Sequence, residues 1–210
     1  MGKFFNSKIF EGISKLADVM LIDFYFLVCS IPIFTIGASS TALYYAMHKC
    51  VYKGRGYTTE FFHSFKDNFK QSTLSWLIFI VLFLILGGDI YITRNMIAAD
   101  SKLQAAPIFF TILLIFAITW AIYHFAYIAR FENTFKQSFK ISAVFMAVNI
   151  GWTFAIIGVL IICLLLVYRF LFLLIFAPGI IAFAIHPILE RVFRKYMSEE
   201  DLAREDDILY

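Results

Sequence analysis

Asp23 is the residue whose type and position most demand an explanation, because it lies in the first apolar stretch of the chain, where a carboxyl group costs free energy that packing alone seldom requires. Two readings are open. The structural one is a carboxyl hydrogen-bonded to a neighbouring helix. The chemical one is a proton or cation relay, in which Thr35 and Asn149 would supply further polar groups inside the bilayer. Asp89 has Arg94 nearby and reads as half of an interfacial ion pair, and Arg169, in a tight turn between two apolar runs, reads as a snorkelling side chain.

The four histidines, His48, His63, His124 and His186, raise the question of a metal. Counted from the boundaries of the apolar runs, all four fall towards one side of the membrane, but their spacing matches no ligand motif. No metal and no cofactor are therefore expected. The sequence contains no Gly-x-Ser-x-Gly elbow, Walker loop or Gly-x-Gly-x-x-Gly fingerprint, so no catalytic residue is assigned and the chain is read as a non-enzyme. Cys29, Cys50 and Cys163 are odd in number and far apart, which fits neither a disulfide framework nor a thiolate cluster. A nucleic-acid partner is not expected.

The elements that must carry these residues are set by hydrophobicity. Apolar residues make up 61% of the 210 and the mean hydropathy is +0.81, more than one soluble domain of this size encloses. Uncharged runs cover 24–47, 105–129, 141–168 and 170–189, and 74–92 is interrupted only by Asp89. Each is near or above the roughly 20 residues that span a bilayer as a helix, and backbone groups in lipid must be satisfied within the segment. The fold class is thus all-α: a polytopic transmembrane helical bundle of five to six membrane segments with short interfacial amphipathic helices, forming one integral membrane domain over 1–210. A cleaved secretory signal is not expected, since Asp18 and Asp23 interrupt the first apolar run.

Basic residues orient the bundle. Lys49, Lys53, Arg55, Lys66 and Lys70 mark one cytoplasmic loop, Arg130, Lys136 and Lys140 a second, and Arg191, Arg194, Lys195 and Arg204 the C-terminal side, which is expected inside. Residues 16–52 form either a single kinked crossing or a hairpin, with Pro32 removing a donor and Gly37 permitting a bend or close packing. The hairpin is preferred, because it puts Lys3, Lys8 and Lys15 inside as well and leaves only Arg94, Lys102 and Arg169 outside. Its arms, about 24 Å each at helical rise, are short for a core of about 30 Å. The acidic tail 197–210 reads as a solvated end.

An internal repeat organises the chain beyond the hairpin. Phe61, Phe65, Lys66, Phe69 and Lys70 recur as Phe131, Phe135, Lys136, Phe139 and Lys140. Phenylalanine at every fourth position puts an aromatic stripe with flanking lysines on one helix face, the pattern of a helix lying in the membrane interface. The chain then divides into repeated units of interfacial helix plus hairpin at 61–130 and 131–196. The stripes serve anchoring, docking of a partner subunit, or both.

The stretch Ser30-Ile31-Pro32-Ile33-Phe34-Thr35-Ile36-Gly37-Ala38-Ser39-Ser40-Thr41-Ala42-Leu43-Tyr44, followed by the Phe-Lys-x-x-Phe-Lys-Gln-Ser of 65–72, resembles the YesL-like family of bacterial integral membrane proteins. The likeness runs over nearly the whole chain, with Pro-x-x-Thr-Ile-Gly-Ala as its most specific marker. It implies a multi-pass protein of the bacterial cytoplasmic membrane that accompanies carbohydrate uptake, with ABC-type sugar permease subunits as partners beside the lipid bilayer. The alternative is a small autonomous transporter with a polar route near Asp23. Neither substrate nor oligomeric state is fixed by the residues.

Overall fold

The computed structural model describes residues 17–52, 57–96 and 105–197, and among them every regular element is helical. Helix α1 (17–29) ends at Ser30. A 3-10 turn (Ile33–Thr35) leads into α2 (Ile36–Ala46), and a π turn (Met47–Tyr52) closes it. Then come α3 (Tyr57–Met96), α4 (Ala106–Arg130), α5 (Phe135–Val148), α6 (Ile150–Arg169), a second 3-10 turn (Leu171–Ile175) and α7 (Ala177–Arg194). The acidic tail beyond 197 lies outside the described residues.

The first two helices form a hairpin. Val19 and Ile22, early in α1, share a core with Ala42, Leu43 and Ala46, late in α2, and with Met47 at the start of the π turn, which requires the two helices to run antiparallel. Pro32 supplies the break, since it has no N–H to continue α1. The Thr35 hydroxyl lies 2.6 Å from the carbonyl oxygens of both Cys29 and Pro32, sharing its proton between the last carbonyl of α1, which the helix leaves without an intrahelical partner, and the Pro32 carbonyl, which also accepts the Thr35 N–H at 2.9 Å.

Gly37 is not part of that break. It is the second residue of α2, where a Cβ would come within 2.5 Å of the Ser72 carbonyl oxygen and the Trp76 Cβ. Glycine therefore lets α2 and α3 approach closely. The Thr41 and Ser72 hydroxyls bond across the contact at 2.8 Å, and the Trp76 indole donates to the Ile33 carbonyl at 2.8 Å.

Among the described residues three helices, α3, α4 and α6, are long and apolar enough to cross a membrane. The expectation of five to six segments also counts α1, α2 and α7, which are shorter or, in α7, carry Glu190, Arg191 and Arg194. With 40 residues, α3 is about 60 Å long, twice the hydrocarbon thickness. Its first turns, bearing Glu60, Lys66 and Lys70, therefore extend beyond the lipid. The stretch 61–70 runs unbroken into that span. In the second copy of the repeat, α5 is separated from α6 at Asn149, whose φ of −104° and ψ of 47° interrupt the helix.

The outer surface is apolar. Leu84, Leu164 and Leu171 are each 70% or more exposed, an arrangement that suits lipid as the surrounding medium. Inside, one core joins Tyr44, Tyr123, Ile156, Ile185, Leu189 and Phe193 from α2, α4, α6 and α7. A second collects Phe79, Ala121 and Phe125 with Trp76, Trp120 and Phe139 around them.

Candidate functional site

The densest buried polar group forms where the ends of α2, α4 and α7 converge. His48 comes from the π turn after α2, Arg130 is the last residue of α4, and His186 and Glu190 lie one turn apart on α7. His48 Nδ1 and His186 Nε2 are 2.9 Å apart. Glu190 Oε1 stands 3.5 Å from His48 Nδ1 and 3.8 Å from His186 Nε2. All three residues are buried, at 5%, 3% and 9% exposure for His48, His186 and Glu190.

Two further groups hold the carboxylate. The Tyr44 hydroxyl donates to Oε1 at 2.9 Å. Arg130 donates from Nη2 to Oε2 at 3.1 Å and brings Nε to 2.8 Å from Oε1. The rings pack as well, with the His186 centroid 5.3 Å from that of Tyr44 and 5.1 Å from that of His48. Burying charge is tolerated when it is paired and hydrogen-bonded, as it is here. Chemically, the arrangement offers two imidazole nitrogens and a carboxylate oxygen to one point, with a guanidinium fixing the carboxylate.

The other histidines are elsewhere. His124 is fully buried with Nε2 2.8 Å from the Ser75 hydroxyl and Nδ1 3.1 Å from that of Ser142, tying α4 to α3 and α5. His63 lies on the exposed flank of α3, 3.0 Å from Asp67 one turn on.

The three polar residues singled out from sequence do not meet, and no hydrogen bond joins any two of them among the described residues. Asp23 is 2% exposed and accepts the Gly179 N–H on Oδ1 at 2.8 Å, bonding α1 to the first turn of α7. Its Oδ2 is buried without a hydrogen-bond partner among the described residues. Thr35 serves the hairpin bend. Asn149 bonds the Phe145 carbonyl at 3.0 Å and the Tyr196 hydroxyl at 3.3 Å, stabilising the junction of α5 and α6.

The aromatic stripes face largely inward. Phe61 is fully buried in the α1–α2 core, and Phe139 stacks on Phe79 with centroids 5.5 Å apart. Phe65, Phe131 and Phe135 are half-buried, while Phe69 is 36% exposed. Lys66, Lys70, Lys136 and Lys140 are exposed. Gln71 donates to the Ser138 hydroxyl at 2.9 Å, so the helices carrying the two copies touch beside the lysines.

The His48, His186, Glu190 and Arg130 group was scarcely legible in sequence. Its one local signal is the His186-x-x-x-Glu190 spacing, which places both side chains on one helix face. His48 and Arg130 join it only through the fold.

Fold and site together define an all-helical bundle of membrane character with a buried ionisable cluster. Residues 19–90 match the model of a family described as "Protein of unknown function, DUF624", a segment from α1 through most of α3 that includes Asp23, Gly37 and His48. No curated protein and no solved structure matches the chain.

Proposed function

We propose that this is a non-enzymatic integral membrane protein that acts as an accessory partner of a carbohydrate importer of the ABC type in the bacterial cytoplasmic membrane. The type of partner is what the YesL-like resemblance implies. The observation that supports docking is the pair of exposed lysine sets, Lys66 with Lys70 and Lys136 with Lys140, on helices joined through Gln71 and Ser138. Because the phenylalanines beside them mostly pack inward, the lysines can be changed without opening the core. Reversing all four charges should abolish co-purification of importer permeases from native membranes while membrane insertion and thermal stability persist. Unchanged recovery of the permeases would overturn the docking reading.

One observation favours a second reading, a small autonomous transporter. A carboxylate oxygen buried without a partner, as Asp23 Oδ2 is among the described residues, is costly and suits a group that takes up a proton or cation in turn. Asp23→Asn should then abolish coupled flux in vesicles; full flux would remove Asp23 from any route.

A further inference from the structure

We infer that His48, His186 and Glu190 form a binding site for a divalent transition-metal ion of the zinc class. The argument is geometric. A tetrahedral ion held at about 2.0–2.1 Å by nitrogen and oxygen spaces its ligand atoms roughly 3.3 Å apart. The three ligand atoms here are separated by 2.9, 3.5 and 3.8 Å, a triangle that becomes one face of such a tetrahedron if each edge changes by about half an ångström or less. Two imidazoles and one carboxylate are also a ligand set that zinc-class ions take, with the fourth position left to water.

The surroundings fit ligands rather than a chance meeting of rings. His186 and Glu190 project from one face of α7 a turn apart, and His48 reaches them from the π turn. π turns recur at functional sites. Arg130 and Tyr44 fix the carboxylate that would bind the ion, the role that outer hydrogen-bond partners play at metal centres. Coordination through His48 Nδ1 and His186 Nε2 places the imidazole protons on His48 Nε2 and His186 Nδ1. The proton shared between the two rings leaves their contact.

Arg130 also limits the affinity. Its guanidinium is a like charge beside the ion, and Oε1 must release one of its present partners to accept a metal. Binding is therefore weaker than at a closed structural zinc site.

The test uses the full chain in detergent micelles after treatment with a chelator. Titration with cobalt(II), whose ligand-field spectrum reports tetrahedral nitrogen and oxygen coordination, should show one ion per chain, displaced by zinc(II). His48→Ala, His186→Ala and Glu190→Gln should each weaken uptake about tenfold or more, whereas His63→Ala, at the exposed pair on α3, should leave it unchanged. Should a variant fail to fold, the wild-type chain suffices. Zinc(II) should raise its unfolding temperature at one equivalent per chain, and a chelator should reverse the rise. Failure of the folded wild-type chain to take up a stoichiometric ion, or uptake that survives loss of both histidines, would overturn the site.

Discussion

His48 Nδ1 and His186 Nε2 lie 2.9 Å apart across 138 residues of chain, beside a Glu190 carboxylate that Arg130 and Tyr44 hold in place. The pairing of Arg130 with Glu190 thus carries much of the local stability. Arg130→Met leaves the carboxylate in place without its guanidinium, at a cost of about 3–5 kcal/mol. Glu190→Leu combined with Arg130→Met should recover a large part of that loss, since replacing both charges removes the unpaired one. Thermal unfolding in detergent of the two single variants and the double variant measures the coupling.

The contact between α2 and α3 depends on the missing side chain of Gly37. An alanine there would bring its methyl against the Ser72 carbonyl oxygen and Trp76 Cβ at 2.5 Å, and neither is the far end of a flexible side chain. Gly37→Ala should destabilise the protein by about 1–3 kcal/mol through forced separation of the helices. Gly158, inside α6, meets no atom within 4 Å of a built Cβ. Gly158→Ala should be neutral or stabilise by up to about 1 kcal/mol, because it adds helix propensity in open space. Melting curves of the two variants side by side separate packing from propensity.

The helical fold was legible because its cause is local: uncharged runs long enough to span lipid leave the backbone no other way to satisfy its polar groups. The bend at Pro32 was legible for the same reason, since proline withholds a donor wherever it sits. At Gly37 the sequence leaves both a bend and close packing open, and only the contact with Ser72 and Trp76 decides for packing. Phe61 and Phe139 show the limit of periodicity. A stripe at every fourth residue marks a helix face and does not say whether that face meets lipid, a partner or the protein's own core. The cluster around Glu190 was hidden because its members come from three distant segments, and no pattern in one sequence records which helix ends meet.

Asp23 bonds α1 to α7 through a neutral donor, the Gly179 N–H, which any carbonyl-type oxygen at the same place can satisfy. Asp23→Asn should therefore keep stability within about 0.5 kcal/mol, while Asp23→Leu leaves the N–H without its acceptor and costs about 1–3 kcal/mol. A loss in Asp23→Asn as large as in Asp23→Leu would show that the negative charge itself is required. Unfolding midpoints of the pair in one detergent give the comparison, and it is independent of any flux assay.

The three long apolar helices fix which exposed residues share a side of the membrane. Two of them, α3 and α4, lie between Lys66 and Lys136, and one, α6, lies between Lys136 and Arg169. An even number of crossings returns the chain to the same face and an odd number does not. Lys66→Cys and Lys136→Cys, each in a chain whose native cysteines are replaced by serine, should react with a membrane-impermeant thiol reagent from one face only. Arg169→Cys should react from the opposite face. All three positions are exposed on the protein, so burial in the bundle does not account for a difference in labelling. Labelling of Lys136→Cys and Arg169→Cys from the same face would mean that α6 does not cross, and that its apolar surface, with Leu164 70% exposed, is covered by something other than a single transmembrane passage.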